Sequence, residues 1–159
     1  MIDRLLLLGA TGDLAGRFLL PALAELTATG RLPTGLQLVG AAEQEWDDAR
    51  FADHVAARLD EHAGDVPDAA RRALVAGVRY RRVDLDDTAS VGAAVGAFAG
   101  AGPVAAYLAL PPVLFPAAVR ALGAAGLAPG SQIAPGMLVW RGSRHSVPSG
   151  RPAGRLVRG

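Results

Sequence analysis

Two glycines near the beginning of the chain stand in a pattern that can bind phosphate. Gly9 and Gly12 follow the apolar run at residues 5–8 and precede a helical pattern that begins at Asp13. Glycine lets the backbone turn tightly and approach phosphate oxygens without an intervening Cβ, while the amides of the first helical turn point toward the anion. A strand, a glycine turn and a helix in this order bind the pyrophosphate of a dinucleotide. The sequence therefore predicts a dinucleotide coenzyme site at this turn.

Three polar side chains around the same turn each have two interpretations. The Thr11 hydroxyl could donate to phosphate or bond its own backbone. Asp13 could lie near the coenzyme, although capping alone explains a carboxylate at the start of a helix. Arg17 could reach a phosphate, but it also fits a solvated helix position. The two glycines, and not these side chains, carry the prediction.

Glu43 follows the second apolar run, where dinucleotide-binding folds place the group that reads the adenosine ribose. A carboxylate there accepts a hydrogen bond from the 2′-hydroxyl of NAD and repels the 2′-phosphate of NADP. The alternative is a solvated loop acid, because Glu45, Asp47 and Asp48 make the whole stretch acidic. The sequence thus favours NADP or NAD as the coenzyme, with a leaning toward NAD.

The remaining residue types exclude several other chemistries. Every basic residue besides histidine is an arginine, so no ammonium group is available, and the chain has no cysteine for thiol catalysis or disulfides. The three histidines, His54, His62 and His145, have no partner at metal or triad spacing, and the first two are expected to be solvated. We therefore predict no catalytic residue and no metal site within this sequence.

Alternating strands and helices are expected to position the glycine turn. Apolar runs predict four strands, at residues 4–8, 36–42, 78–83 and 104–110. Apolar residues at helical spacing predict five helices, at residues 13–29, 47–62, 66–75, 88–98 and 112–126. This order indicates an α/β fold with a doubly wound, mostly parallel sheet and helices on both faces.

Composition limits the class of protein. The 159 residues suit one domain, and because half are hydrophobic and few are aromatic, the core must be built from Ala, Leu and Val. No apolar run approaches the roughly 20 residues of a membrane span. The lack of cysteine fits a cytoplasmic enzyme. The net charge of +1 implies no particular partner.

The texture changes near residue 134, which divides the predicted dinucleotide-binding domain (1–134) from an irregular tail (135–159). The tail is rich in Pro, Gly and Ser and holds five arginines and no acid; only residues 137–140 resemble a strand. Such arginines could bind nucleic acid, but nothing aromatic or helical organises them, so no nucleic-acid partner is predicted. This composition would also arise from an off-frame reading of a GC-rich gene or in a truncated paralogue.

Two segments resemble glucose-6-phosphate dehydrogenases. The first is Gly-Ala-Thr-Gly-Asp-Leu-Ala at 9–15, followed by Arg17, Pro21 and Gly-Arg-Leu-Pro at 30–33; the second is Tyr-Leu-Ala-Leu-Pro-Pro at 107–112. The resemblance covers roughly residues 4–133 and implies a Rossmann-like coenzyme-binding domain. It also implies that the first motif wraps the coenzyme pyrophosphate and that Tyr107 lines the site. The candidate coenzyme-binding residues are Gly9, Ala10, Thr11, Gly12, Asp13, Leu14, Ala15, Glu43 and Tyr107.

The resemblance implies oxidation of glucose 6-phosphate to 6-phosphoglucono-lactone by hydride transfer to NADP or NAD, the first step of the pentose phosphate pathway. It also has departures. The family places Glu-Lys-Pro-Phe-Gly after a segment like 128–134, where this chain has Pro135-Gly136-Met137 and no lysine, and its NADP-using members carry Arg at the position of Glu43. Because the substrate motif and the catalytic histidine are not found here, this polypeptide alone is expected to be inactive, and glucose 6-phosphate would bind only a full-length enzyme.

Two other functions compete with this interpretation. One is a stand-alone nucleotide-binding module or a non-functional truncated product. The other is an atypical short-chain reductase of the isomerase-reductase type, which also begins with Gly-Ala-Thr-Gly. Those reductases usually have a third glycine at the position of Ala15 and lack the Tyr-Leu-Ala-Leu-Pro-Pro segment.

Overall fold

A five-stranded parallel sheet forms the centre of the molecule in the computed structural model, which describes residues 2–33 and 35–135. The strand order is β3-β2-β1-β4-β5, and every neighbouring pair is parallel. The strands are β1 (Arg4–Leu8), β2 (Gln37–Ala42), β3 (Val78–Arg82), β4 (Ala105–Leu108) and β5 (Gln132–Pro135). The order reverses between β1 and β4, as in a doubly wound sheet.

Helices cover both faces of this sheet. The helices are α1 (Leu20–Ala28), α2 (Asp48–His62), α3 (Asp68–Ala76), α4 (Thr88–Val95) and α5 (Phe115–Ala124). A π-helical turn, Ala15–Leu19, precedes α1, and a 3₁₀ turn, Pro112–Leu114, precedes α5. One hydrophobic cluster includes residues of α1, α2 and α3, and a second includes residues of α4 and α5. The predicted Rossmann-like α/β fold is therefore confirmed.

The apolar run of β1 explains why this strand is central. Leu7 belongs to the first cluster, while Leu6 and Leu8 belong to the second, and all three are at most 1% exposed. Successive side chains of a strand point to opposite faces, so a strand covered on both faces must be apolar throughout.

Local signals set the start and the buried face of α2. The Asp47 carboxylate accepts a hydrogen bond of 2.7 Å from the Arg50 amide and so caps the helix. Phe51, Val55 and Leu59 recur every four residues and are all buried. The periodicity that predicted this helix is the periodicity of its buried face.

The structure differs from the sequence prediction at several elements. β5 was not predicted, and β4 ends at Leu108 and not at residue 110. The predicted helix 13–29 begins with the π-helical turn before it becomes α1. The predicted strand at 137–140 and the irregular tail lie outside the described residues, except Pro135, which ends β5. In the part of the chain that the structure describes, no helix is both long and apolar enough to cross a membrane.

Candidate coenzyme site

A cleft of about 270 Å³ opens at the carboxyl ends of β1, β2 and β4. It lies at the point where the strand order reverses, which is where open α/β sheets bind their ligands. The cleft is lined by Leu8, Gly9, Thr11, Gly12, Ala41, Ala42, Glu43, Gln44, Val83, Leu85, Ala109, Leu110, Pro111 and Leu114. Of the nine predicted coenzyme-binding residues, the structure brings Gly9, Thr11, Gly12 and Glu43 together around this cleft.

Gly9 directly follows β1 at the floor of the cleft and contacts both β2 and the residue after β4. Its amide donates to the Ala41 carbonyl of β2 at 2.8 Å, and its φ of +79° lies in the left-handed region that favours glycine. A Cβ at this position would overlap the carbonyl oxygen of Ala109, directly after β4. Both the backbone conformation and the close approach of β4 therefore require glycine.

Gly12 forms the transition from the turn to the helix. Its amide donates to the Gly9 carbonyl at 3.1 Å, and its own carbonyl accepts from the Gly16 amide at 3.1 Å. The amides of Asp13, Leu14 and Ala15 precede that first helical bond and so have no carbonyl one turn earlier in the helix to receive them. An added Cβ on Gly12 would meet only the Gly9 carbonyl oxygen, at 3.3 Å. A glycine cradle beside these amides fits a pyrophosphate.

The apolar residues of the motif pack in the core. Ala10 and Ala15 are fully buried, and Leu14 packs against the first hydrophobic cluster. These three side chains hold the turn against the sheet.

The polar side chains of the turn find partners within the protein. The Thr11 hydroxyl donates to Gln44 Oε1 at 2.8 Å and does not bond its own backbone. Asp13 is a first-turn residue whose carboxylate pairs with Arg17 Nη2 at 3.3 Å, and the helix begins without a side-chain cap. Thr11 thus links the glycine turn to the loop after β2. Asp13 does not cap the helix; its carboxylate forms an ion pair with Arg17, one turn later on an exposed helix surface.

The segment that follows β2, residues 43–45, is here called the β2 loop. Glu43 is exposed and lines the cleft. Two side chains of β3 donate to the backbone of the β2 loop. Arg82 Nε donates to the Glu43 carbonyl at 3.0 Å, and the Tyr80 hydroxyl donates to the Gln44 carbonyl at 2.7 Å. The sequence analysis missed Tyr80 and Arg82, because backbone carbonyls are present at every residue and mark no partner.

Tyr107 occupies a different environment from the cleft. It lies in β4 between Leu7 of β1 and Ala134 of β5, and its side chain packs against the first hydrophobic cluster. Burial raises the pKa of the Tyr107 phenol above its usual value. Tyr107 is not among the residues that line the cleft, whereas Ala109, Leu110 and Pro111 from the same motif are.

His54 is half-buried, whereas a solvated side chain was expected on a charged helix face. Its ring lies 5.1 Å from the Trp46 ring and 6.4 Å from the Phe51 ring, and its Nε2 is buried. Burial, with a smaller contribution from Arg58, lowers the pKa of His54 below its ordinary value. His54 is therefore part of an aromatic cluster beneath the β2 loop, since Trp46 also contacts Tyr80.

A larger depression, of about 560 Å³, lies between the end of α1, the start of β2 and the end of α3. Apart from Thr27, its described lining consists of apolar residues and glycines, and it contains no ionisable side chain. The cleft at the carboxyl edge of the sheet is therefore the better candidate site for a charged ligand.

Comparison with known proteins identifies the domain that contains this cleft. Residues 6–134 match the family model for the glucose-6-phosphate dehydrogenase NAD-binding domain. The chain belongs to the glucose-6-phosphate dehydrogenase family. This match favours that family over the short-chain reductases that share the Gly-Ala-Thr-Gly start.

Individual relatives agree with the family match. The glucose-6-phosphate 1-dehydrogenase of Zymomonas mobilis is 34% identical over 140 residues, covering 84% of this chain and 28% of the relative. The enzyme of Mycolicibacterium smegmatis is 36% identical over 131 residues, covering 75% and 26%. The chain thus spans about a quarter of the length of these glucose-6-phosphate dehydrogenases.

Solved structures show the same fold. The crystal structure of glucose-6-phosphate 1-dehydrogenase from Mycobacterium avium superposes with a TM-score of 0.75 at 25% identity, over 84% of this chain and 29% of that one. A glucose-6-phosphate dehydrogenase in complex with its substrate glucose-6-phosphate gives a TM-score of 0.69 at 20% identity, over 84% and 30%.

Proposed function

We propose that this chain supplies the coenzyme site of a glucose-6-phosphate dehydrogenase and holds the pyrophosphate of a nicotinamide dinucleotide at the glycine turn. The single observation that carries the proposal is the cradle of Gly9 and Gly12 at the carboxyl end of β1, beside the amides of the helix start. The bound coenzyme supplies hydride acceptance. The residues of this chain bind and orient the coenzyme, while glucose 6-phosphate is the hydride donor in the proposed reaction of the whole enzyme.

The place of this reaction in the cell follows from the same proposal. Oxidation of glucose 6-phosphate to the lactone would make the enzyme the entry to the pentose phosphate pathway. The absence of cysteine supports a cytoplasmic location, since a reducing compartment gives disulfides no role.

The proposed coenzyme preference rests on Glu43. This residue lines the cleft on the β2 side, where the adenosine ribose of a dinucleotide lies in folds of this type. The 2′-hydroxyl of NAD can donate to the Glu43 carboxylate in a charge-assisted hydrogen bond. The 2′-phosphate of NADP instead brings a second anion close to the carboxylate. Solvent and salt screen this repulsion, and we expect about 1–2 kcal/mol, or about tenfold in affinity, in favour of NAD.

Isothermal titration of the purified 159-residue polypeptide with NAD and NADP tests both parts of the proposal. Wild type should bind NAD about tenfold more tightly than NADP, and Glu43→Arg should abolish or reverse that preference. Asp53→Arg is the matched control, because it makes the same charge change at an exposed position of α2.

The two parts of the proposal can fail separately. Absence of binding of either coenzyme would contradict the assignment of the cleft. Equal binding of both coenzymes by wild type, unchanged in Glu43→Arg, would reduce Glu43 to a solvated loop acid. A preference that shifts equally in Asp53→Arg would show a long-range charge effect.

A further inference from the structure

The backbone of the β2 loop is held by side chains from the neighbouring strand. Arg82 donates Nε–H to the Glu43 carbonyl at 3.0 Å, and Tyr80 donates its hydroxyl to the next carbonyl, that of Gln44, at 2.7 Å. Register explains the arrangement, because β3 pairs with β2 so that Arg82 lies opposite Ala42, the residue before Glu43. Two consecutive carbonyls of the loop thus have donors that come from one strand.

The two donors differ in their surroundings. Tyr80 is 2% exposed, and its ring packs between Phe51 and Trp46 at centroid distances of 5.3 and 5.9 Å, which fixes its hydroxyl in place. The Arg82 side chain is 57% exposed, and its Nη1 is 3.8 Å from Glu45 Oε1. That long, exposed ion pair contributes little, so the hydrogen bond to the Glu43 carbonyl is the main contact of the Arg82 guanidinium with the loop.

A third contact ties the loop to the glycine turn. Gln44 Oε1 accepts from the Thr11 hydroxyl at 2.8 Å, and both residues line the cleft. The loop residue that faces the coenzyme is therefore restrained from the β3 side through its main chain and from the β1 side through its neighbour.

We propose that Arg82 and Tyr80 are positioning residues that hold the main chain of Glu43 and Gln44, so that the Glu43 carboxylate stays at the ribose and discriminates against a 2′-phosphate. This inference rests on the proposed function of Glu43. Without the two donors the loop can move, Glu43 can turn away from a second anion, and the NADP penalty is relieved. Arg82 thus favours NAD, although a cation beside a 2′-phosphate would by charge alone favour NADP.

Because the two mechanisms have opposite signs, the ratio of NAD to NADP affinity separates them. Arg82→Met removes the donor and the charge; Tyr80→Phe removes the other donor without any change of charge. Each variant should weaken NAD binding by about three- to tenfold, the effect of one hydrogen bond, and should lower the NAD/NADP affinity ratio at least about twofold.

Arg79→Met is the matched control for Arg82→Met. Arg79 lies on the same strand, is also exposed, and also donates to a backbone carbonyl, that of Ala97, at 3.0 Å and away from the cleft. It should leave both affinities unchanged. Circular dichroism checks that each variant is folded at the temperature of the titration. Because Arg82 is exposed, we expect Arg82→Met to fold as the wild type does.

A lower NAD/NADP ratio in both Arg82→Met and Tyr80→Phe, with Arg79→Met unaltered, supports the positioning role. A higher ratio in Arg82→Met would assign the guanidinium directly to the 2′-phosphate and overturn the proposal. If the wild type prefers NAD and the NAD/NADP ratio is the same in both variants as in the wild type, the proposal is overturned as well. Failure of the wild type to bind any coenzyme is a different result, since it removes the proposed function itself.

Discussion

Gly9 and Gly12 lie three residues apart in one turn, yet an added methyl group should have different effects at the two positions. At Gly9 it should destabilise the fold, and at Gly12 it should weaken coenzyme binding. Gly9→Ala would force alanine into a φ of +79° and bring Cβ to 2.8 Å from the carbonyl carbon of Ala109. The left-handed backbone costs about 1–3 kcal/mol, and the overlap with the segment after β4 costs a similar amount. A loss of about 2–6 kcal/mol is a large part of the stability of an ordinary domain.

Gly12→Ala should leave the fold nearly intact. The φ of Gly12 lies outside the left-handed region, and the added Cβ would meet the Gly9 carbonyl oxygen at 3.3 Å, a contact that a shift of a few tenths of an ångström relieves. Its stability should change by no more than about 1 kcal/mol. The methyl group would, however, occupy the space through which a pyrophosphate approaches the helix start, so NAD affinity should fall at least about tenfold.

Urea unfolding followed by circular dichroism measures the first effect, and isothermal titration with NAD measures the second. Gly9→Ala should move the urea midpoint far below that of wild type, while Gly12→Ala should retain the midpoint and lose affinity. Two results would refute the reasoning: a Gly9→Ala variant as stable as wild type, or a folded Gly12→Ala variant that binds NAD as wild type does. Gly12→Val, with a bulkier side chain, should bind less NAD than Gly12→Ala.

Further predictions concern the core and the aromatic cluster. Gly40→Ala should lower the unfolding free energy by about 1–3 kcal/mol in urea, because its Cβ would lie 2.6 Å from Phe51 Cε1, whereas Gly92→Ala, where a Cβ meets nothing within 4 Å, should raise it by about 0.5–1 kcal/mol. Equal effects of the two would contradict this packing. Because the pKa of His54 is lowered from 6.5 in the folded state, the unfolded chain protonates first, and stability should fall as the pH drops through 6.5. His54→Phe should flatten that fall in urea titrations between about pH 7.5 and 5, while His62→Gln should preserve it; an unaltered slope in His54→Phe would assign the fall to other groups.

The strands that could be predicted are those whose burial leaves a pattern in the sequence. β1 is covered by helices on both faces, so Leu6, Leu7 and Leu8 all had to be apolar. β5 lies at the edge of the sheet, its four residues are exposed, and it ends in Pro135. An exposed edge strand needs no apolar run and tolerates proline, so no periodicity indicated it.

The glycine turn could be predicted because its requirement is local: positive φ and close backbone approach select a residue type that is visible in the sequence. The roles of Tyr80 and Arg82 as donors could not be predicted, because their acceptors are backbone carbonyls, which every residue has. These acceptors also lie about 40 positions earlier in the chain. Strand order and register supply the missing information, since the parallel pairing that sets Ala42 opposite Arg82 brings the end of β3 beside the β2 loop. The proposed positioning of Glu43 therefore rests on two side chains that only the register of β2 and β3 brings to the loop.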